Sequence, residues 1–182
     1  MEIANNVTIR DILLFQEIRE TSALDIVNKI LEINREDNQK EKELKDYKRE
    51  TIKLYISTYG GVVYDGLAIV DAINNSKTEV HTIAIGKVMS MGLPILLSGH
   101  KRYGNKYGTI MYHEVSSYVW DKATEIKQTL EEANRLQEII DEIILSKTAI
   151  LKDRLTEVKE KKLDWYITMN EALKLNIIED II

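Results

Sequence analysis

Ser90 lies within Gly86-Lys87-Val88-Met89-Ser90-Met91-Gly92, a run of small and apolar residues that follows a predicted strand and opens a predicted helix. Free N–H groups and the positive end of a helix dipole favour negative charge at such a junction, so an oxyanion beside a serine nucleophile is stabilised there. A helix-capping serine is the plain structural alternative. Tyr59-Gly60-Gly61 occupies a similar strand-to-helix junction, where glycine tolerates positive φ and lets a peptide N–H face a ligand, though a Gly-Gly pair is first of all a turn. Of the three histidines, His81 sits within a strand pattern and His100 in the basic turn His100-Lys101-Arg102, whereas His113 ends an apolar strand. An acyl-transfer serine needs a base for its proton, an acid to orient that base and two N–H donors for the oxyanion. His113 suits the base, and Asp141, Asp153 and Asp164 are all available as the acid.

The elements that would position these groups alternate along the chain. Ile12-Leu13-Leu14-Phe15 reads as a strand, and the apolar residues from Ser22 to Leu31 recur at helical spacing. Ile52–Ser57 reads as a strand and Tyr64–Ile73 as a helix; Val80–Ile85 is a further strand and Ser90–Ser98 a short helix. Lys106–His113 is a strand, and Ile126, Leu130, Ala133, Leu136, Ile140 and Ile143 mark one long amphipathic helix. Asp164–Thr168 reads as a strand leading into a helix with Thr168 as N-cap, Glu171 three residues on and Asn176 as a left-handed end. Alternation of this kind predicts an α/β fold with largely parallel strands. The run from Arg35 to Glu50 is too polar to carry a core face and reads as a solvated helix extension or loop.

Composition bounds the rest. A chain of 182 residues with 44% hydrophobic residues suits one domain. A net charge of −5 opposes binding to a phosphate backbone, so no nucleic-acid role is expected. The absence of cysteine excludes disulfides, thiolate metal sites and thiol nucleophiles. The start Met1-Glu2-Ile3-Ala4-Asn5-Asn6 lacks a secretory pattern and no apolar run reaches the length of a membrane span, which together predict a cytoplasmic protein.

With those residues in view, the chain resembles the Clp protease proteolytic subunit family from about Ile12 to its C-terminus. Leu54–Ile69 is similar to the family's strand, Ser-Pro-Gly-Gly turn and helix, with Tyr59 in place of proline. Gly86–Gly92 is similar to Gly-x-Ala-x-Ser-Met-Gly, with Val88 for alanine; Lys101–His113 resembles the Lys-Arg-aromatic segment that ends in the catalytic histidine. Asp164–Ala172 matches Asp-x-aromatic-aliphatic-Ser/Thr-Ala-x-Glu-Ala. The resemblance implies a ClpP/crotonase-like superfold of stacked ββα units with a protruding handle helix at about 121–150, in a single domain spanning 1–182 with a charged insert at about 35–50. It implies a Ser-His-Asp triad of Ser90, His113 and Asp164, with the N–H groups of Gly61 and Met91 as oxyanion hole. The implied activity is serine endopeptidase hydrolysis of peptides or unfolded proteins, without a cofactor or metal of its own. The implied assembly is a heptameric ring or double ring, fed by an ATP-driven AAA+ unfoldase.

The chain departs from the family in places. Lys162-Leu163 stands where an Asp-Arg pair commonly precedes the aspartate, which removes that ion pair from ring stacking. Glu114-Val115-Ser116-Ser117-Tyr118-Val119-Trp120 replaces Gln-Pro and a glycine-rich strand, and the stretch before Ile12 is shorter than the loops that engage the unfoldase. These differences keep two alternatives in play: a catalytically weak ring-forming scaffold, and a dedicated processing peptidase such as one maturing phage proteins.

Overall fold

The computed structural model describes residues 9–116 and 123–182. The expectations for the first residues and for the Ser117–Trp120 stretch lie outside that range. In chain order the elements are β1 (Asp11–Leu14), α1 (Glu20–Glu43), β2 (Ile52–Thr58), α2 (Val63–Asn74), β3 (Val80–Met89), α3 (Gly92–Ser98), β4 (Lys101–Gly104), β5 (Thr109–Tyr112), α4 (Ala123–Lys147), α5 (Lys152–Glu160), β6 (Trp165–Thr168), α6 (Met169–Lys174) and β7 (Asp180–Ile181). The alternating α/β order expected from the sequence is observed.

Among the described residues the strands form one sheet, ordered β1-β2-β3-β4-β7, with β5 leaving β3 to pair with β6. Every pairing is parallel except β5 with β6. The key strand is β3, which is longer than its apolar pattern suggests. Its first half pairs His81–Ala84 with Lys101–Gly104 of β4, and its second half pairs Lys87–Met89 with Thr109–Met111 of β5. Between the halves, Gly86 takes φ 65° and the register with β2 shifts between Ile56 and Thr58, so the strand bends and serves two neighbours in succession.

The core lies between the sheet and helices α1 to α3. Ile12, Leu14, Ile52, Leu54 and Ile56 face it from the strands, while Ile69, Ile73, Leu93 and Leu96 face it from the helices. Each fully buried aliphatic side chain contributes about 1.5–3 kcal/mol of transfer free energy. The inward stripe of α1 runs Ala23, Ile26, Ile30, Ile33 and then Asp37, which is as buried as the isoleucines before it.

That finding corrects the view of the Arg35–Glu50 run as wholly solvated. Arg10 donates two hydrogen bonds to the Asp37 carboxylate, and the hydroxyls of Tyr47 and Thr78 donate to it as well. Arg49 pairs with Glu41 and donates to Thr78, fastening the end of α1 to the turn before β3. The sequence also hides three elements: β4, where a basic turn is expected, and α5 and β7, which carry too few apolar residues for a periodic signal.

The handle helix appears as α4. Leu136, Ile140 and Ile144 are buried, while Leu130, one turn and a half earlier, is 58% exposed. The C-terminal half therefore packs on the body, while Leu130 is left uncovered.

Candidate active site

Strand register brings the three candidate groups to neighbouring strand ends. Met89 and Met111 are partners in the parallel β3–β5 pair, and Ser90, the next residue after β3, donates its N–H to the Met111 carbonyl at 2.8 Å. His113 follows β5 directly. In the antiparallel β5–β6 pair Tyr112 opposes Trp165, so the next step of the ladder sets His113 opposite Asp164. The His113 Nδ1 to Asp164 Oδ1 distance is 3.9 Å, within ion-pair range and longer than a hydrogen bond.

Ser90 and His113 line one cleft of about 220 Å³ together with Tyr59, Gly61, Met91 and Val115. Among the described residues, no hydrogen bond joins Ser90 to His113. Catalytic hydrogen bonds in apo sites are often long and tighten around substrate. Asp164 opens instead on an adjoining cavity of about 500 Å³, which shares His113 and is walled by Leu130, Gln137 and Leu163.

The turn at Ser90 is a strained one. Its φ is 53°, a left-handed conformation that costs a non-glycine residue roughly 1–2 kcal/mol. Such strain clusters at functional sites, and a sharp strand–Ser–helix turn is a recurrent way to expose a nucleophile. The helix-capping alternative does not apply, because Met91 occupies the N-cap position of α3 and Ser90 precedes it.

Gly60 packs against this turn and Gly61 against Ile18. A Cβ on Gly60 would stand 2.7 Å from Ser90 Cβ, and one on Gly61 would stand 2.1 Å from the Ile18 carbonyl oxygen. The Ile18 N–H donates to Gly60 and the Val62 N–H donates to Ile18. Because successive peptide groups of an extended chain alternate in direction, the Gly61 N–H between them points away from Ile18, toward the cleft that Gly61 lines. Thr58 braces the turn by donating its hydroxyl to Gln16 O and accepting the Gly60 N–H.

Of the three acids left open by the sequence, Asp164 is the one that approaches His113. Asp153 sits in the first turn of α5. Asp141 is engaged elsewhere: it accepts from the Tyr112 hydroxyl and from Gln137, and pairs with Lys159. Burial, and then the bond to Asp141, push the Tyr112 hydroxyl above the usual tyrosine range. Gln137, Asp141 and Lys159 carry no motif. Their one sequence signal is that Gln137 falls on the inward stripe of α4 between Leu136 and Ile140.

No group of metal-binding side chains occurs among the described residues, and no described helix is long and apolar enough to cross a membrane.

Comparison with known proteins places the chain in a family. The profile of the family described as Clp protease matches residues 2–182. An ATP-dependent Clp protease proteolytic subunit from Borrelia garinii is 32% identical over 175 residues, covering 95% of this chain and 84% of its own. The protein of the same name from Borreliella afzelii is 31% identical, with 95% and 83% covered. The ATP-dependent Clp protease proteolytic subunit 1 of Borreliella burgdorferi is also 31% identical, with 95% and 84% covered. Matched by the family profile over residues 2–182 and by relatives 31–32% identical over 95% of its length, the chain belongs to the Clp protease family of serine peptidases.

Proposed function

We propose that this chain is an endopeptidase that cleaves peptides and unfolded polypeptides through a triad of Ser90, His113 and Asp164. The observation that carries the reading is the strand register: the β3–β5 ladder stops one residue before Ser90, and the β5–β6 ladder stops at Tyr112 and Trp165, next to His113 and Asp164. His113 takes the Ser90 Oγ proton as the oxygen attacks the scissile carbonyl carbon, forming a tetrahedral oxyanion. The N–H groups of Gly61 and Met91 stabilise that charge, each lowering the barrier by about 3 kcal/mol. His113 then returns the proton to the leaving amine as the C–N bond breaks, and water, deprotonated by the same imidazole, releases the acyl group. Asp164 orients the ring and stabilises the imidazolium once substrate draws the two together.

Oligomeric assembly and delivery by an ATP-driven AAA+ unfoldase complete the proposal. Relatives named as proteolytic subunits of an ATP-dependent protease support both. So do the exposed Leu13, Phe15 and Leu130, apolar side chains left uncovered on the single chain. Enclosure in a ring accounts for a cleft that is otherwise open to any polypeptide. ATP then acts through the partner, and the peptidase needs no cofactor.

A weakly active scaffold is the second reading, favoured by the 3.9 Å gap between His113 and Asp164. Hydrolysis of a fluorogenic peptide by wild type, Ser90→Ala, His113→Ala and Asp164→Ala decides between them. The peptidase reading expects Ser90→Ala to lose about 10⁶-fold in kcat. Equal, background rates in all four proteins favour the scaffold.

A further inference from the structure

The cleft is held from behind by a polar cluster that the triad does not explain. Gln137 of α4 is buried, and its side-chain carbonyl accepts the Val115 N–H at 2.7 Å. Its amide nitrogen donates to the Tyr112 hydroxyl at 3.1 Å and to Asp141 Oδ1 at 2.7 Å. Tyr112 is the residue before His113 and Val115 the second after it. One side chain of α4 thus holds the Tyr112 hydroxyl before the base and the Val115 backbone after it.

The grip continues into the support of the acid. Asp141, which accepts from Tyr112 at 2.7 Å, pairs with Lys159 of α5. From the same helix, the Arg154 guanidinium lies 4.5 Å from the ring centre of Trp165, the neighbour of Asp164. The connection runs α4 to β5 through Gln137, α4 to α5 through Asp141 and Lys159, and α5 to β6 through Arg154. It links the residue before His113 to the residue after Asp164.

From this arrangement we infer that Gln137 is a positioning residue, through which the seating of α4 on the body sets the approach of His113 to Ser90 and Asp164. The inference rests on the peptidase reading above. Its physical basis is that a buried amide with every polar end engaged allows one arrangement, whereas an apolar side chain of the same length leaves the Val115 N–H without its acceptor and the Tyr112 hydroxyl held by Asp141 alone. The His–Asp gap is already wider than a hydrogen bond, so a displacement of about 1 Å decides whether the pair closes, and misplacements of that size cost about 10²-fold in rate.

The test compares Gln137→Met and Tyr112→Phe with Thr78→Val, a comparator in the distant Asp37 cluster. For each, kcat and KM on a short peptide, the thermal midpoint and amide exchange over residues 112–116 are measured. The expected result for Gln137→Met is a kcat lower by about 10–100-fold with KM nearly unchanged and faster exchange at Val115. Tyr112→Phe, which keeps the ring and loses only the hydroxyl, shifts the same quantities by less. Thr78→Val lowers the midpoint and leaves kcat at the wild-type value. Wild-type kcat in both Gln137→Met and Tyr112→Phe overturns the inference, as does an equal loss of kcat in Thr78→Val. Equal rates in wild type and Ser90→Ala would instead overturn the peptidase reading, and exchange at Val115 still reports on the anchor alone.

Discussion

Ser90 carries the whole account at the level of single residues, and its neighbours are shaped around it. The left-handed Ser90 leaves room for no side chain on Gly60, whose Cβ would meet Ser90 Cβ at 2.7 Å. Gly60→Ala therefore pushes the nucleophile out of place, and its peptide hydrolysis should fall more steeply than its thermal midpoint. Gly61→Ala meets the Ile18 carbonyl and turns the N–H proposed as an oxyanion donor, so kcat should drop by about 10²–10³-fold, measured on the same peptide. If Gly61→Ala retains kcat, the Gly61 N–H is not an oxyanion donor. The serine, the histidine and both glycines are visible in the sequence because motif and strand ending coincide at each. The acid is not visible from residue types alone: Asp141, Asp153 and Asp164 look alike until the family motif at Asp164–Ala172 singles one out, and strand register sets that same residue opposite His113. Gln137 and Lys159 stay hidden, since their roles arise from contacts across helices.

At the scale of elements, most of the alternation is legible because long apolar strands and amphipathic helices repeat with distinct periods. The Thr168–Glu171 capping box forms as expected, and Asn176 adopts φ 56° at the end of α6. The charged end of α1 misleads because composition outweighs position there. Asp37 lies seven residues after Ile30 and four after Ile33, on the helix's inner stripe, and its partners Arg10, Tyr47 and Thr78 are scattered along the chain. Burial raises the Asp37 pKa, but the hydrogen bonds from Arg10, Thr78 and Tyr47 outweigh it and hold the carboxyl well below its usual range. A group depressed in the folded state stabilises fully above its unfolded value of about 3.9, and that contribution is lost as pH falls through the folded value. Urea unfolding at falling pH should therefore show stability lost below about pH 4 in wild type, with a shallower loss in Asp37→Asn. Asp37→Ala, which strands a mostly buried guanidinium, should cost about 3–5 kcal/mol at pH 7. A cost within 0.5 kcal/mol of zero, on the order of an ordinary surface change, would contradict this view of the cluster. Lys162 offers the converse: at φ 51°, Lys162→Gly relieves a strained backbone and should raise stability by up to about 1 kcal/mol in the same unfolding experiment.

For the molecule as a whole, the split service of β3 is what joins fold to function. One strand carries the sheet body on its first half and β5, which leads into His113, on its second, so the core and the cleft share a backbone. In the proposed ring, the exposed Leu13, Phe15 and Leu130 would meet further copies of the chain. Native mass spectrometry at micromolar concentration should show a ring-sized oligomer, and a strict monomer would contradict the enclosed-chamber proposal. More central is the identity of the nucleophile. The most direct measurement is reaction of the wild-type protein with a fluorophosphonate probe, with the adduct located by tandem mass spectrometry and Ser90→Ala and His113→Ala run alongside. The account predicts an adduct on Ser90 in wild type, none in Ser90→Ala and strongly slowed formation in His113→Ala. An adduct on another serine, or equal labelling of wild type and His113→Ala, would contradict it.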